Sequence, residues 1–504
     1  MQKTAPQSWL QSEATLGLVF ITVLSFFTIV FNFATPQHFF WDENYHIASA
    51  QKYLNGIFFM EPHPPLGKMI IALGEKVMHQ NATNDQFIGT DYATNPPAGF
   101  SFTGYRLFPV LFAWLTAPIL FLIFFRLTRR TLWSVLFSFL YVFDNALIVH
   151  LRSAVLEGPL LVFSCLTILA FLVLVERKEE KWPFIRAALL FGFGFAAVMT
   201  TKVFGLILVL LVPALFYFLK NERGQFLRFL LWSAVAFLPL YAGVWQMHFS
   251  IAAKINPALA DQGYYQASAA YKNILTEKKT GSLSSFTVML RDSLNFVGHY
   301  EDGVPRLNLC KKDENGSPWF LWPFGGRSIN YRWETPDGQQ YRYLYLQVNP
   351  VVWGLGLIGV VLAAILLIAE QTAGLQERLK NKEMLLTFLG TYIAYMIAIA
   401  RITRVMYLYH YFIPLLLTFI LFALVFEEIR HIGKRYLTEE GKTLILFILA
   451  LLIFFGYQFF RPLTYYEPLT DSQFQRRSWL RIWELHCVHC SPDSPFVIPS
   501  ETTK

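Results

Sequence analysis

The sequence contains few charged residues. Only 15% of its 504 residues are charged, whereas 55% are hydrophobic and 17% are aromatic. A soluble globular protein normally carries about 25% charged residues. The low charge and the mean hydropathy of +0.40 therefore exclude an ordinary soluble domain and indicate an integral membrane protein.

Several motifs of soluble enzymes are also missing. The sequence has no Walker motif, no dinucleotide-binding glycine fingerprint and no HExxH zinc signature. Its net charge of +8 is spread over short loops and forms no basic tract, so no nucleic-acid partner is expected. The first apolar run lacks a basic leader and a small-residue cleavage site, and we expect it to be an uncleaved span.

Cysteine is scarce, with four residues in the chain. Cys165 lies inside an apolar run and is predicted to be inert core. Cys487 and Cys490 lie with His486 and His489 in the segment HCVHC. This spacing is too crowded for all four to bind one tetrahedral zinc ion. A metal site, a local disulfide and two free thiols all remain open.

Eleven apolar runs are long enough to cross a membrane, which requires roughly 20 mostly apolar residues. Only helices can supply so many spans, because backbone polar groups in lipid must be satisfied within the segment. The predicted fold is therefore an all-α polytopic membrane protein. The predicted spans are 15–33, 107–125, 132–149, 154–175, 187–201, 203–219, 229–248, 349–369, 384–400, 406–426 and 442–460.

Basic residues predict the orientation of these spans. Five short loops that fall on one side are rich in Lys and Arg, which marks that side as cytoplasmic. The N-terminus is then cytoplasmic, and the C-terminus lies outside the inner or plasma membrane. The predicted organisation is a seven-span region at 1–248 with an external loop at 34–106, a second external loop at 249–348, a four-span region at 349–460 and an external tail at 461–504.

An acidic pair, Asp42 and Glu43, follows the first predicted span. The local pattern predicts a short interfacial helix, ENYHIASAQKYLNG, which the pair would cap and Gly56 would end. The alternative is catalytic. A partly desolvated carboxylate at the end of a span is suited to act as a general base, and its neighbour to hold a substrate. His46 lies on the same predicted helix.

The segment HPPLGK has a similar ambiguity. Pro64 and Pro65 predict an extended lead into an amphipathic helix, LGKMIIALGEKVM, with His63 before it and Lys68 in its first turn. Lys68 is either a surface lysine that reaches toward water or, together with the helix N-terminus, part of a site for an anion such as phosphate.

A third polar cluster lies in FDNALIVHLRSAVLEGPL, where two predicted spans meet. Ionisable residues beside a span indicate a functional site by default. Arg152 is suited to bind phosphate through paired hydrogen bonds. The alternative is a salt bridge from Arg152 to Glu157 or Asp144.

Four further candidates share the predicted external side. They are Lys202, between two apolar runs where a bare ammonium is costly, His248, at the end of the seventh span, and Arg404 and His410, in RVMYLYHYFIP. Tyrosines in that last segment are typical of an aromatic interfacial belt, which leaves Arg404 unexplained. Polar groups gathered at this face suit a ligand with a charged headgroup and a lipid tail.

Taken in order, these motifs resemble the protein O-mannosyltransferase family, a branch of the membrane glycosyltransferases with the GT-C fold. The resemblance extends from about residue 35 to about residue 465. It is carried by DENYH, NGIFFMEPHPPLGK, FDNALIVHLRSAVLEGPL, TTKVFG, QMHFS, VNPVVWG and RVMYLYHYFIP.

The resemblance implies transfer of mannose from a polyprenyl- or dolichyl-phosphate carrier to a Ser or Thr hydroxyl of a protein, with inversion at the sugar carbon. Asp42 would be the catalytic base, and Glu43 would help to hold acceptor or donor. Arg152, Lys202 and Arg404 would bind the phosphate of the lipid carrier. Further substrate contacts are assigned to His46, His63, Lys68, Asp144, His248 and His410.

The same resemblance sets expectations for cofactors and partners. The leaving group is a phosphate monoester, so cationic side chains can replace a divalent metal, and no metal or other cofactor is expected. The expected partners are the mannosyl carrier, an acceptor protein and membrane lipids, with a dimer possible.

Two features depart from the family pattern. The loop 249–348 is too short for the β-trefoil MIR domain of eukaryotic members, which implies a bacterial-type enzyme, and Glu157 stands where the family commonly has Asp. Two alternatives remain: a GT-C enzyme that modifies a lipid or glycan, such as an aminoarabinose transferase, and a non-catalytic lipid-binding or transport protein.

Overall fold

The computed structural model describes residues 13–255, 266–311, 314–337, 340–372, 378–433, 435–487 and 497–499. Within these ranges, nine helices are long and apolar enough to cross a membrane, or ten if one bent pair counts as a single span. The chain is therefore a multi-pass, mainly helical membrane protein, as predicted.

The helices up to residue 251 are α1 (Glu13–Ser25), α2 (Glu43–Asn55), α3 (Leu66–Met78), α4 (Thr103–Thr128), α5 (Thr131–Val142), α6 (Asn145–Leu151), α7 (Glu157–Glu176), α8 (Lys181–Thr201), α9 (Leu211–Phe218) and α10 (Arg223–Ile251). Those that follow are α11 (Ala269–Thr276), α12 (Leu283–Gly303), α13 (Pro350–Thr372), α14 (Lys382–Ala400), α15 (Phe412–Glu428), α16 (Glu439–Tyr465) and α17 (Asp471–Gln475). The strands are β1 (Asn330–Glu334), β2 (Tyr341–Tyr345), β3 (His431–Ile432), β4 (Arg435–Tyr436), β5 (Pro468–Leu469), β6 (Leu485–Cys487) and β7 (Val497–Pro499).

Two of the eleven predicted spans differ from a continuous membrane helix. The run predicted at 132–149 is broken, because α5 and α6 meet at an angle of 61°. The run predicted at 203–219 is a shorter apolar helix, Val203–Phe218, whose first part is a 3₁₀ helix. Both runs are helical as predicted, but neither is by itself a continuous helix of full span length.

The chain divides into two compact units. The first consists of Met1–Phe31, Trp114–His150 and Leu307–Lys504, as far as these ranges are described. Within it α15 is buried along most of its length. Gly359 allows α13 to lie close to α15, since a Cβ atom at that position would be 2.7 Å from the Phe422 backbone.

A small antiparallel sheet in this unit was not predicted. Strand β2 lies between β1 and β5, with Trp333 opposite Tyr343 and Tyr341 opposite Leu469. Alternate tyrosines of β2 are buried, and the Tyr343 ring lies 4.5 Å from the ring of Phe474. Leu344 is buried as well, so only Arg342 of β2 is not buried.

The break between α5 and α6 is stabilised by Asp144, which is fully buried. One carboxylate oxygen accepts a hydrogen bond from the Leu147 amide at 2.8 Å. The other accepts from the Trp353 indole at 2.9 Å and from the Asn349 amide at 3.3 Å. Both oxygens are therefore engaged within the unit, and we interpret Asp144 as part of its framework. The predicted substrate contact of Asp144 stays a prediction.

The second unit consists of Asn32–Ala113 and Leu151–Arg306, again where described. The two short helices predicted in the loop 34–106 are confirmed. Helix α2 ends at Gly56, which adopts the left-handed conformation with φ of 71°, and α3 covers the sequence LGKMIIALGEKVM after Pro65. Their inner faces share one hydrophobic core, which includes Ile47 and Ile71.

The backbones of α7 and α4 lie very close together in this unit. A Cβ atom at Gly158 would lie only 2.2 Å from the Pro109 carbonyl oxygen. We therefore expect Gly158→Ala to lower the free energy of unfolding by about 1–3 kcal/mol, because the added methyl group forces the two helices apart. Thermal unfolding of the detergent-solubilised protein measures this change.

Gly243→Ala is the matched control, since no atom lies within 4 Å of a Cβ added there in α10. Alanine is the better helix former by about 1 kcal/mol, so this variant should be as stable as the parent or slightly more so. Equal melting temperatures for the two variants would show that the close approach has no energetic role.

Candidate active site

The acidic pair lies at the start of α2, where its two carboxylates have different surroundings. Asp42 occupies the N-cap position, but its side chain accepts no capping hydrogen bond from the helix. Asp42 is half-buried, whereas Glu43 is completely buried. Of the two, Asp42 is the carboxylate that a ligand can reach.

Glu43 forms a buried ion pair with Arg106, and neither side chain is exposed to solvent. Its Oε1 accepts from Arg106 Nε at 2.7 Å, and its Oε2 accepts from Nη2 at 2.8 Å. The same carboxylate accepts from the backbone amides of Ala154 at 2.8 Å and Phe40 at 3.2 Å. Both oxygens of Glu43 are thus occupied by the protein itself.

Arg106 uses its remaining donors on the segment that leads into α2. It donates to the carbonyl oxygens of Ala34 at 2.9 Å, Pro36 at 2.6 Å and His38 at 2.7 Å. A guanidinium group is suited to this because its five donors have a fixed geometry. We therefore interpret Glu43 and Arg106 as a clamp that positions Asp42. The substrate-holding role of Glu43 stays a prediction.

Sequence reasoning did not select Arg106. The signal was present, because an arginine stands at the edge of the apolar run predicted at 107–125, and a charged residue beside a span indicates a functional or structural site.

Lys68 lies in a buried polar cluster between α2 and α3. It is 2% exposed, which excludes the interpretation as a surface lysine. Its ammonium group forms an ion pair with Glu61 and donates to the Ser49 hydroxyl at 3.2 Å. Burial lowers the pKa of Lys68, and the Glu61 carboxylate opposes that change.

His46 and His63 belong to the same region, with their ring centroids 6.4 Å apart. His46 is buried, whereas His63 is half-buried. Burial lowers the pKa of His46 well below its usual value, and the positive charge of Lys68 lowers it further. His46 is therefore neutral at physiological pH.

Two further predicted cations are buried in the second unit. Lys202 follows α8, and its ammonium lies 2.5 Å from Glu157 Oε1. Arg152 donates through Nη2 to the Asn32 carbonyl oxygen at 2.5 Å. Each is 5% exposed. Glu157, considered from the sequence as a partner of Arg152, thus pairs with Lys202.

His248 lies near the end of α10 and is buried. Its Nδ1 is 2.8 Å from the Tyr53 hydroxyl, which connects α10 to α2. This contact explains a histidine at the end of an apolar helix without a substrate.

The other predicted residues, Arg404 and His410, lie with Asp144 in the first unit. Arg404 is half-buried and donates to the Val405 carbonyl oxygen at 3.3 Å. His410 Nδ1 accepts from the Tyr407 amide at 3.2 Å, and its ring stacks on Tyr409 at 4.5 Å. Neither Arg404 nor His410 belongs to the second unit, which contains the acidic pair and the buried lysines.

No group of three or more His, Cys, Asp or Glu side chains in the described parts of the chain is arranged to hold a metal ion. Cys487 is disulfide-bonded, and its sulfur lies 3.8 Å from the Tyr343 hydroxyl. Cys490 and His489 lie outside the described residues. Cys165 is buried, as predicted.

Comparison with known proteins identifies the family. The model for the dolichyl-phosphate-mannose-protein mannosyltransferase family matches residues 19–247. A model for the C-terminal four-span region of protein O-mannosyltransferases matches residues 305–483. The chain belongs to the protein O-mannosyltransferase family. The family models thus cover both ends of the sequence resemblance, including ten of the eleven predicted site residues, and His248 lies just beyond the first matched range.

Individual members of the family match over shorter stretches. Dolichyl-phosphate-mannose–protein mannosyltransferase 4 of Schizosaccharomyces pombe is 32% identical over 38% of this chain, and 24% of its own length is covered. Dolichyl-phosphate-mannose–protein mannosyltransferase 1 of Candida albicans is 26% identical over 62% of this chain and 38% of its own length. The chain thus matches well under half of the length of these relatives.

The fold matches along nearly the whole chain. The protein O-mannosyltransferase Pmt1–Pmt2 complex of Saccharomyces cerevisiae, solved with the sugar donor bound, superposes with a TM-score of 0.77. The match covers 98% of this chain and 94% of that one, at 13% identity. This likeness shows that the fold is the GT-C fold of membrane glycosyltransferases, as predicted.

The clamp gives a testable prediction. Arg106→Lys keeps the positive charge but loses the multiple donors that hold Glu43 and three carbonyl oxygens. Removing partners from a buried charged network costs about 3–5 kcal/mol, so we expect a large drop in the unfolding temperature of the purified protein.

Arg130→Lys is the control, because Arg130 forms a partly exposed ion pair with Glu439, and such pairs are worth about 0–1 kcal/mol. An Arg106→Lys protein as stable as the Arg130→Lys protein would contradict the clamp.

Proposed function

We propose that this protein transfers mannose from a polyprenyl- or dolichyl-phosphate carrier to Ser or Thr hydroxyls of proteins, with inversion at the sugar carbon. The names of the related proteins support the donor and the protein acceptor. The observation that carries the proposal is the arrangement of the second unit, where the Glu43–Arg106 clamp positions the reachable carboxylate of Asp42 and the cations Lys68, Arg152 and Lys202 are buried.

Asp42 is the proposed general base. In an inverting transfer, the acceptor hydroxyl attacks the sugar carbon on the face opposite the phosphate and must lose a proton as the bond forms. Asp42 is suited to accept that proton because it is half-buried and its side chain does not cap the helix that it precedes. The Glu43–Arg106 clamp holds the turn that carries it, and such positioning lowers the barrier to reaction.

Arg152, Lys202 and Lys68 are the proposed ligands of the phosphate. All three are buried, where a charge interacts more strongly with a substrate than it does in water. Glu157 and Glu61 form ion pairs with two of the three cations. The three cations stabilise the phosphate as it leaves the sugar, and we propose that no divalent metal is required.

The basic loops support a cytoplasmic N-terminus. The proposed reaction then takes place at the external face of the inner or plasma membrane, where the loop 34–106 lies. We retain protein as the acceptor because no contact in the described residues favours a lipid or a glycan.

The activity test uses purified protein with polyprenyl-phosphate-mannose and a Ser/Thr-rich peptide. Asp42→Asn should reduce kcat by about 10²–10⁴-fold, since it removes the base. Arg152→Ala should reduce it by about 10²–10³-fold, since it removes a group that stabilises the leaving phosphate. Mannosylated peptide is measured by mass spectrometry.

Asp85→Asn is the control, because Asp85 is an exposed carboxylate in the same loop. It should retain the parent activity. Carrier consumption with a lipid or glycan acceptor, but not with peptide, would move the protein to the second class of enzyme. Full activity of Asp42→Asn would contradict the assignment of the base.

A further inference from the structure

The polar cluster formed by His46, Ser49, Glu61, His63 and Lys68 contains two atoms that the proposed phosphate chemistry does not use. They are Nδ1 of His46 and Oε2 of Glu61. Both atoms are inaccessible to solvent, and neither has a hydrogen-bond partner among the residues that the structure describes. We call this group of five residues the hydroxyl cluster.

Two unpaired polar atoms in one buried cluster point to a missing partner. Buried polar groups are nearly always hydrogen-bonded, because burying them without a partner costs free energy. His46 is 5% exposed and Glu61 is 7% exposed. The cluster is also continuous, since Lys68 bonds both Glu61 and Ser49, and Ser49 lies one helical turn from His46 on α2.

The chemistry of the two atoms indicates which partner fits. Lys68 holds Oε1 of Glu61, which leaves Oε2 as an acceptor in a fixed place. Because burial and Lys68 keep the pKa of His46 low, its ring is neutral and offers one donor and one acceptor. A hydroxyl group both donates and accepts, so it matches this pair. A phosphate oxygen does not match Oε2 of Glu61, because an ionised phosphate oxygen has no proton to donate to that carboxylate oxygen.

We propose that His46 and Glu61 bind hydroxyl groups of the transferred sugar and thereby determine which sugar the enzyme accepts. This inference rests on the proposed function, because it places the sugar of the donor beside Lys68. It separates two tasks within the second unit: the cations bind the phosphate, and the unpaired atoms of the hydroxyl cluster recognise the sugar.

The test compares polyprenyl-phosphate-mannose with four donors, each lacking one sugar hydroxyl at position 2, 3, 4 or 6. A site that bonds a hydroxyl discriminates strongly against a substrate without it. The parent enzyme should lose roughly 10–100-fold in kcat/KM for at least one of the four. In Glu61→Gln or His46→Asn, mannose transfer should fall by a similar factor, and that deoxy donor should show no further loss.

Glu75→Gln is the matched control. Glu75 lies on the same helix α3, is fully buried and also has an unpaired Oε2, while its Oε1 accepts from the Asn81 amide at 2.8 Å. Among the described residues, no hydrogen bond or ion pair joins it to Lys68. This variant should discriminate among the donors as the parent does. Unchanged discrimination in both Glu61→Gln and His46→Asn would overturn the proposal.

A binding experiment separates this proposal from the proposed function. Thermal shifts are measured with polyprenyl-phosphate-mannose and with polyprenyl phosphate alone. The parent protein should be stabilised more by the sugar-bearing lipid, and Glu61→Gln or His46→Asn should abolish that difference. This result supports sugar recognition even if no peptide is mannosylated, in which case only the proposed function fails. Equal stabilisation of the parent by both lipids would overturn the proposal.

Discussion

The second unit depends on one buried ion pair, between Glu43 and Arg106. Taking two charges out of water is costly, and the cost is recovered only if every donor and acceptor is satisfied. Here the carboxylate receives two guanidinium and two amide hydrogen bonds, and the guanidinium also reaches three carbonyl oxygens. The backbone between the first span and α2 is therefore organised around Arg106. This arginine thereby fixes the position of Asp42.

The same principle explains why acidic and basic residues occur in pairs elsewhere in this unit. Lys68 is paired with Glu61, and Lys202 with Glu157. An unpaired ammonium buried in an apolar environment would lose its proton. Each carboxylate offsets the charge of a buried lysine, and under the proposed function these two ion pairs also prepare the phosphate site electrostatically.

Local sequence patterns predicted the helices and their ends, which depend mainly on residues close together in the sequence. The eleven apolar runs are all helical, α2 ends at the glycine expected to end it, and α3 covers the predicted amphipathic segment. The Arg106 clamp and the Asp144 network could not be predicted in this way. Glu43 and Arg106 are 63 residues apart, and Asp144 and Asn349 are 205 apart. Nothing in either local sequence specifies a partner at such a distance, so the contacts that hold Glu43 and Asp144 within the protein were not predicted.

The pairing of two cations with carboxylates has a consequence for turnover. In the proposed reaction the donor is a phosphodiester with one negative charge, and the spent carrier is a phosphate monoester with up to two, since its second pKa is about 6. Three unpaired cations would bind the spent carrier more tightly than the donor and would delay its departure. Glu61 and Glu157 reduce that excess attraction, so the two glutamates favour release of the spent carrier and limit product inhibition.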